Sequence, residues 1–222
     1  MSREVSLLEQ LRGLIERTYG FQSGIEDLGR FVVGNAGYRR FYAGREAVTR
    51  VDAATEQART LVRDTPGALR ACIYYPDELI DTLERQPPQH GLSDGNVDAF
   101  LTLVEELDHF LLLVWRKQQG RSVTLLELEW QANVTKYLVL AYFLAAGRPR
   151  LRAAERAWLR HHLFEKGAFV DADPHVAERY RQAARCAVKF IDGLPGRARS
   201  RLATLRRFHD ANVVGKHELI GG

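Results

Sequence analysis

The spacing of apolar residues predicts helices at the start of the chain and throughout its second half. Over residues 4–18, apolar side chains recur every three or four positions, the pattern of an amphipathic helix. Beyond residue 93 this spacing recurs in five segments that glycine, proline or capping residues separate. The five predicted helices cover residues 93–118, 123–146, 150–165, 173–193 and 197–211.

A strand pattern is clearest between the first helix and the later ones. Residues 69–75 alternate apolar and polar side chains and predict a strand. Residues 58–64 would pair with it as a hairpin, through a turn at Thr65-Pro66-Gly67. Residues 46–51 are a candidate third strand. Residues 52–62 have an alternative interpretation as a helix, because they contain several good helix formers.

The secondary-structure signals of the remaining segments are weaker. Residues 30–42 fit either a hairpin or a short irregular helix. A short helix is expected at 77–85 after a proline, and 86–95 has the composition of a linker. The tail at 213–222 has no strong helix signal, so we expect an extension that docks on a partner or is frayed.

These elements predict an α+β fold that is predominantly α-helical. An N-terminal helix and a small β-hairpin sheet would precede a four- to five-helix bundle. The expected division is a small α/β region over 1–92 and a helical bundle over 93–222. Hydrophobic residues make up 45% of the 222 residues, enough for a substantial core without disulfides or a structural metal.

Composition narrows the cellular setting. Cys72 and Cys186 are far apart and form no zinc-binding spacing, so we expect reduced thiols. The first residues lack the apolar segment of a secretory signal. The longest apolar run, residues 137–146, is only ten residues, whereas crossing a bilayer takes roughly 20. We therefore expect a cytoplasmic protein without membrane association.

Positive charge is concentrated at the C-terminal end. Residues 148–222 carry a net charge of +8, against −4 for the residues before them. Solvated helix faces are the simplest explanation, but such a region also suits an acidic protein partner or nucleic acid. The candidate nucleic-acid contacts are Arg197, Arg199, Arg201, Arg206 and Arg207.

The segment VEELDHF, 104–110, contains the motif Glu106-x-x-His109. On a helical wheel, Glu105, His109 and Arg116 share a polar stripe opposite the apolar face, which predicts a solvent-exposed side of the helix. Glu105 and His109 would then form an ordinary surface pair at a spacing of four.

The next predicted helix carries polar residues that are harder to explain. Its second half is apolar on all sides, which is typical of a helix surrounded by protein. Glu129, Asn133 and Lys136 nevertheless share one side of this helix. Because a buried charge needs a partner, we expect them to form a polar network with Glu105 on the preceding helix.

Two catalytic hypotheses arise from these residues and from the third helix of the bundle. Glu106, His109, Glu127 and Glu129 are candidate ligands of a di-metal carboxylate site, although such bundles normally contain two Glu-x-x-His motifs. The spacing of Arg156 and His161 resembles the Arg-x(4–6)-His motif of a family of helical ribonucleases, which implies joint action of the two side chains on RNA at a dimer interface. Ala157 replaces a residue that is commonly polar in that family.

No motif for nucleophilic hydrolysis or nucleotide binding is present. Whether the protein is an enzyme is therefore left open, and no catalytic residue is assigned. The leading hypothesis is a non-catalytic cytosolic interaction or scaffold protein with a protein partner or self-association. No cofactor is required by this hypothesis. The alternatives are the metal-dependent bundle enzyme, which would bind divalent metal, and the ribonuclease.

Overall fold

The computed structural model describes residues 5–41, 57–65, 68–166 and 173–221. Its architecture is α+β and predominantly α-helical, which confirms the predicted fold class. Helix α1, Leu7–Tyr19, begins after Ser6, whose side chain accepts a hydrogen bond from the Glu9 amide, and ends at Gly20 with φ 75°. A side chain is rarely accommodated at this φ, so glycine suits the end of the helix.

The sheet contains the predicted hairpin. Strands β2, Arg59–Thr65, and β3, Ala68–Tyr74, pair in antiparallel register. The helix that we considered for 52–62 is therefore wrong for residues 59–62. The candidate strand at 46–51 and turn residues 66–67 lie outside the described residues.

A two-residue strand completes the described sheet. Strand β1, Val32–Val33, runs parallel to β3 and gives the order β1-β3-β2. Helix α2, Asn35–Phe41, follows immediately. Within the ambiguous segment 30–42, the described residues 30–41 form the end of a 3-10 turn, a short strand and a short helix, rather than a hairpin.

Two long helices lie at the centre of the molecule. Helix α3, Asp77–Arg85, precedes α4, Val97–Gln118, and α5, Leu125–Ala145. A capping box between Thr124 and Glu127 starts α5, because each residue's side chain bonds the other's backbone amide. Helix α5 packs against both α4 and a later helix, α7, which accounts for its apolar sides.

The remaining helices surround this pair. Helix α6, Ala153–Arg160, continues as a π-helical turn, His161–Glu165. Helix α7, Pro174–Asp192, is capped by Asp173, the first residue of the predicted helix 173–193, and α8 spans Ala198–Asp210. The tail, expected to lack helix, forms α9, Val213–Gly221, and buries Lys216 completely. That expectation was wrong because the segment docks through the buried Lys216 and through Leu219 and Ile220, which pack against the core.

One hydrophobic core joins the N-terminal region to the bundle. Leu11 and Ile15 of α1 lie in the same buried cluster as Phe100 of α4, Trp130 of α5 and Phe208 of α8. Cys72 and Cys186 both have buried thiols. Within the described residues, no helix has the length and apolar character needed to cross a membrane.

Candidate metal centre

Three ionisable side chains converge between α4 and α5. Glu105 and His109 of α4 and Glu129 of α5 each offer one ligand atom, and these atoms all lie within 4.8 Å of one another. His109 Nε2 is 3.8 Å from Glu129 Oε2. Because Glu105 and His109 are four residues apart, they project from the same side of α4 toward Glu129.

The predicted polar network surrounds this cluster. Lys136 Nζ donates a hydrogen bond of 2.8 Å to Glu105 Oε2 and so links α5 back to α4. Asn133 Nδ2 donates to the main-chain oxygen of Glu129 at 2.9 Å. The side chain of Glu129 is therefore left to face His109.

The cluster is shielded from solvent but not closed on every side. His109 and Glu129 are buried, with 9% and 7% of their surface exposed. The Glu105 side chain retains 25% of its exposure and forms the accessible edge. Glu105 is therefore the most exposed of the three side chains.

Burial strongly perturbs the protonation of these groups. Burial lowers the pKa of His109 to about 4, so its imidazole is neutral at physiological pH. Burial and the adjacent Glu105 carboxylate raise the pKa of Glu129 to about 8. Burial acts to raise the pKa of Glu105 as well, but the Lys136 ammonium outweighs it and the pKa is lowered.

The predicted ligand Glu106 lies beside the cluster rather than in it. Its Oε2 accepts a hydrogen bond of 2.9 Å from Thr60 Oγ1 on β2. Burial, followed by the neighbouring Glu105 charge, raises the pKa of Glu106 to about 7. A carboxyl with this pKa can exchange a proton near neutrality.

The other predicted ligand, Glu127, has a different role. Its carboxylate completes the capping box of α5 and lies 3.6 Å from the Arg116 guanidinium. The structure therefore brings together His109 and Glu129 of the four residues proposed from the sequence. Glu105, assigned to the polar network, takes the third place.

The prediction of a solvent-exposed stripe on α4 was wrong for His109 and Arg116. His109 is buried, and Arg116 is only 1% exposed. The Arg116 guanidinium donates to the main-chain oxygens of His209, Asp210 and Ala211, at distances of 2.6 to 3.1 Å. Helices α5 and α8 therefore cover a side of α4 that its polarity had suggested would face water.

Sequence reasoning missed a second buried polar cluster. Thr135 Oγ1 donates to Asp108 Oδ1 at 2.7 Å and also bonds Tyr19 Oη at 2.7 Å. Lys216 Nζ donates to Gln131 Oε1 at 2.7 Å in the same interior. The signal for Asp108 was its position between Val104 and Leu111 on the apolar side of α4.

The ribonuclease-like pair is not joined in a shared site. Arg156 Nη1 donates to the main-chain oxygen of Leu151 at 2.6 Å, whereas His161 Nδ1 lies 3.6 Å from Glu165 Oε2. Both residues are exposed. The arginines predicted to contact nucleic acid are all exposed on or just before α8, namely Arg197, Arg199, Arg201, Arg206 and Arg207.

Comparison with known proteins adds no relative. No protein-family model, curated protein or solved structure matches this chain. Function is therefore inferred from the geometry of the described residues.

Proposed function

We propose that the protein binds one divalent transition-metal ion through Glu105, His109 and Glu129, as the centre of a metal-dependent enzyme. The convergence of three ligand atoms within 4.8 Å is the observation that carries the proposal. One imidazole and two carboxylates suit zinc, manganese or iron. Three protein ligands also leave coordination positions open, which is typical of catalytic rather than structural sites.

The protonation of the ligands supports this assignment. A metal-binding imidazole must be neutral, and the lowered pKa of His109 keeps it so. His109 Nδ1 is buried and has no hydrogen-bond partner among the described residues. The raised pKa of Glu129 reflects the cost of a second buried carboxylate beside Glu105, and a divalent ion would offset that cost.

Glu106 supplies the second part of the proposed chemistry. A metal ion with open positions can bind and acidify water, and a neighbouring carboxyl with a pKa of about 7 can transfer a proton. This combination favours metal-assisted hydrolysis over redox chemistry. The single three-residue cluster among the described residues also favours a mononuclear centre over the di-metal site that was one of the alternatives from the sequence.

Elemental analysis and calorimetric titration test the proposal. The protein is purified without chelator or affinity metal, and zinc, manganese and ferrous iron are titrated into the wild type and into Glu105→Gln/His109→Ala/Glu129→Gln. We expect near-stoichiometric binding that the triple variant loses. A matched control, His161→Ala/Glu165→Gln, removes an exposed histidine–carboxylate pair and should bind as wild type does.

Lys136 provides a test of opposite sign. Its ammonium lies 2.8 Å from Glu105 Oε2 and would repel an arriving cation. Lys136→Met should therefore tighten metal binding. Absence of metal binding in both wild type and Lys136→Met would contradict the proposal.

That negative result would favour the non-catalytic alternative. The contact between Lys136 and Glu105 would then serve only to fix the pairing of α4 and α5. The interaction or scaffold hypothesis would next be tested by light scattering for self-association. A monomer at all accessible concentrations would restrict it to a heterologous partner.

A further inference from the structure

A basic cavity lies at the other end of α5 from the candidate metal centre. It has a volume of about 660 Å³ and is bordered by the C-terminal part of α5, the start of α6 and the connection from α7 to α8. Among the described residues, four arginines and no acidic residue line it: Arg148, Arg150, Arg156 and Arg201. A cavity of this size falls within the range of small-ligand sites.

Main-chain oxygens hold two of these arginines in place. Arg156 Nη1 donates to Leu151 O at 2.6 Å. Arg201 donates to Pro195 O and Gly196 O, each at 3.1 Å. Carbonyl oxygens orient a guanidinium without neutralising it, and each guanidinium has five N–H donors. Both arginines thus keep their charge and further donors for a ligand.

The other two arginines differ in their pairing. Arg148 bonds Leu144 O and Ala145 O and forms an ion pair of 2.7 Å with Glu155. Arg150 is exposed and forms no ion pair with a described residue. The cavity therefore has a net positive charge and matches a phosphate group, which arginine binds in a bidentate manner.

A smaller apolar pocket adjoins the basic cavity. It has a volume of about 190 Å³ and shares Leu138 and Tyr142 with the basic cavity. Leu14, Val139, Leu202 and Leu205 form much of its remaining wall. A cavity of about 150 Å³ lined by apolar side chains can hold a benzene molecule, so this pocket suits an apolar group of that size.

Of the residues that line the apolar pocket, Thr18, Tyr19 and Thr135 have hydroxyl groups that are already engaged, and Tyr142, which also lines the basic cavity, carries a further hydroxyl. Thr18 Oγ1 donates to Leu14 O at 2.7 Å, and Tyr19 Oη bonds Thr135 Oγ1 at 2.7 Å. A nucleotide base in the pocket would leave most of the polar atoms along its edges without partners, which is costly. The pocket is therefore better suited to a hydrocarbon group than to a purine or pyrimidine.

We propose that these two cavities bind one amphiphilic organic phosphate. Its phosphate or diphosphate group would contact Arg156 and Arg201, and its short hydrocarbon group would pass Leu138 and Tyr142 into the apolar pocket. The assignment is independent of the metal centre, because it uses different residues. Under this proposal, part of the basic C-terminal region binds a small molecule instead of nucleic acid.

Calorimetric titration in the presence of a chelator tests the proposal without interference from metal. The probes are dimethylallyl diphosphate, inorganic pyrophosphate, ATP and a short single-stranded RNA. We expect dimethylallyl diphosphate to bind at least about tenfold more tightly than pyrophosphate, since it alone transfers hydrocarbon from water. ATP and RNA should bind more weakly than dimethylallyl diphosphate.

Three variants assign the binding to the two cavities. The double variant Arg156→Gln/Arg201→Gln should weaken the binding of both diphosphates at least about tenfold, because it removes two charged phosphate contacts. Leu202→Gln should reduce the difference in affinity between dimethylallyl diphosphate and pyrophosphate, and it should leave the affinity for pyrophosphate unchanged. Arg207→Gln is the matched control, since Arg207 lies on α8 but outside the cavity lining, and it should bind all probes as wild type does.

Several results would overturn the proposal. Equal affinity for dimethylallyl diphosphate and pyrophosphate would show that the apolar pocket is not part of the binding site. Tighter binding of ATP than of dimethylallyl diphosphate would show that the ligand is a nucleotide. Preferential RNA binding that Arg207→Gln weakens as much as the cavity variant would show a diffuse nucleic-acid surface. Absence of binding by any probe would show that the cavities are not a phosphate site.

Discussion

Glu129 lies in surroundings that disfavour the ionised form of its carboxyl group. It is buried, its carboxylate is near that of Glu105, and its pKa is raised to about 8. Its ordinary pKa is 4.5, so between these values the unfolded chain is ionised at this position while the folded protein holds a proton. The free energy of unfolding contributed by this group must therefore fall as the pH rises.

Replacement of Glu129 by glutamine should remove this pH dependence. In chelator-treated wild type, we expect the stability contribution of Glu129 to be complete below about pH 4.5 and to be lost as the pH rises through about 8. Glu129→Gln keeps the side-chain shape and cannot ionise, so it should be more stable relative to wild type at alkaline pH than at acidic pH. Urea unfolding over this pH range measures the difference.

Glu84→Gln is the control for this comparison, because Glu84 is exposed on α3. The stability of the Glu84→Gln variant should follow that of wild type at every pH. A constant difference between Glu129→Gln and wild type across the range would show that Glu129 is ionised in the folded protein. The argument for an unsatisfied carboxylate at the candidate metal centre would then be lost.

At the scale of single elements, the sequence predicted most helices because their signals are local. Apolar spacing located α1, a capping residue located the start of α7, and alternation located β3. The polar face of α4 was misjudged because the wheel assumes one covered side. Helices α1, α3 and α5 and strands β2 and β3 all contact α4, so its polar residues are enclosed as well.

The candidate site was predictable only in part for the same reason. The sequence identified His109 and Glu129 and named both Glu105 and Glu106, but the Glu-x-x-His motif favoured Glu106 as the ligand. The choice depends on β2, whose Thr60 bonds Glu106 and leaves Glu105 to join the cluster. A contact between residues 46 positions apart cannot be inferred from the periodicity of one helix.

Helix α9 was missed because its docking depends on a buried lysine. Lysine is seldom fully buried, yet Lys216 has no exposed surface. Its Nζ bonds Gln131 and lies 4.1 Å from the centre of the Phe208 ring. Burial, followed by the charge of Arg116, lowers its pKa to about 7, despite the opposing effect of Glu127 and Asp108.

The attachment of α9 should therefore weaken as the pH falls. The ordinary pKa of lysine is 10.5, so below that value the unfolded chain gains a proton at Lys216 that the folded protein does not gain until about pH 7. Relative to Lys216→Met, we expect wild type to lose stability between about pH 10 and about pH 7 and then to level off. The loss is at most about 5 kcal/mol, since one pKa unit corresponds to about 1.4 kcal/mol.

Denaturant unfolding of both proteins over this pH range checks the expectation. Lys189→Met removes an exposed lysine from α7 and serves as the control, with no comparable pH dependence. A stability difference between wild type and Lys216→Met that does not change with pH would contradict a neutral buried lysine.

At the scale of the whole molecule, α5 connects the two proposed sites. Glu129 lies in its first half and Tyr142 near its end, which places them about 20 Å apart along the axis at 1.5 Å per residue. The first half faces ionisable groups of α4, and the second half borders the basic cavity. A ligand at one end would therefore not contact a metal ion at the other, and the two proposals can fail separately.

The expected boundary between an α/β region over 1–92 and a helical bundle over 93–222 can be tested at this scale. Helix α1 precedes the boundary, but Leu11 and Ile15 are 0% and 1% exposed within the core formed with Phe100, Trp130 and Phe208. A fragment of residues 93–222 would expose this surface. We expect it to unfold at a much lower denaturant concentration than the full chain, or without a cooperative transition, because the loss of two buried aliphatic contacts alone costs several kcal/mol.

Circular dichroism during guanidinium unfolding, for the fragment 93–222 and the full chain, measures this dependence. Addition of a fragment of residues 1–92 should restore cooperativity to 93–222, whereas the same fragment with Leu11→Asp/Ile15→Asp should not. An unfolding midpoint for 93–222 equal to that of the full chain would show that the bundle folds independently. It would also mean that the contacts of α1 with α4, α5 and α8 add little to the stability of the metal centre, because the helices that hold it would be complete without them.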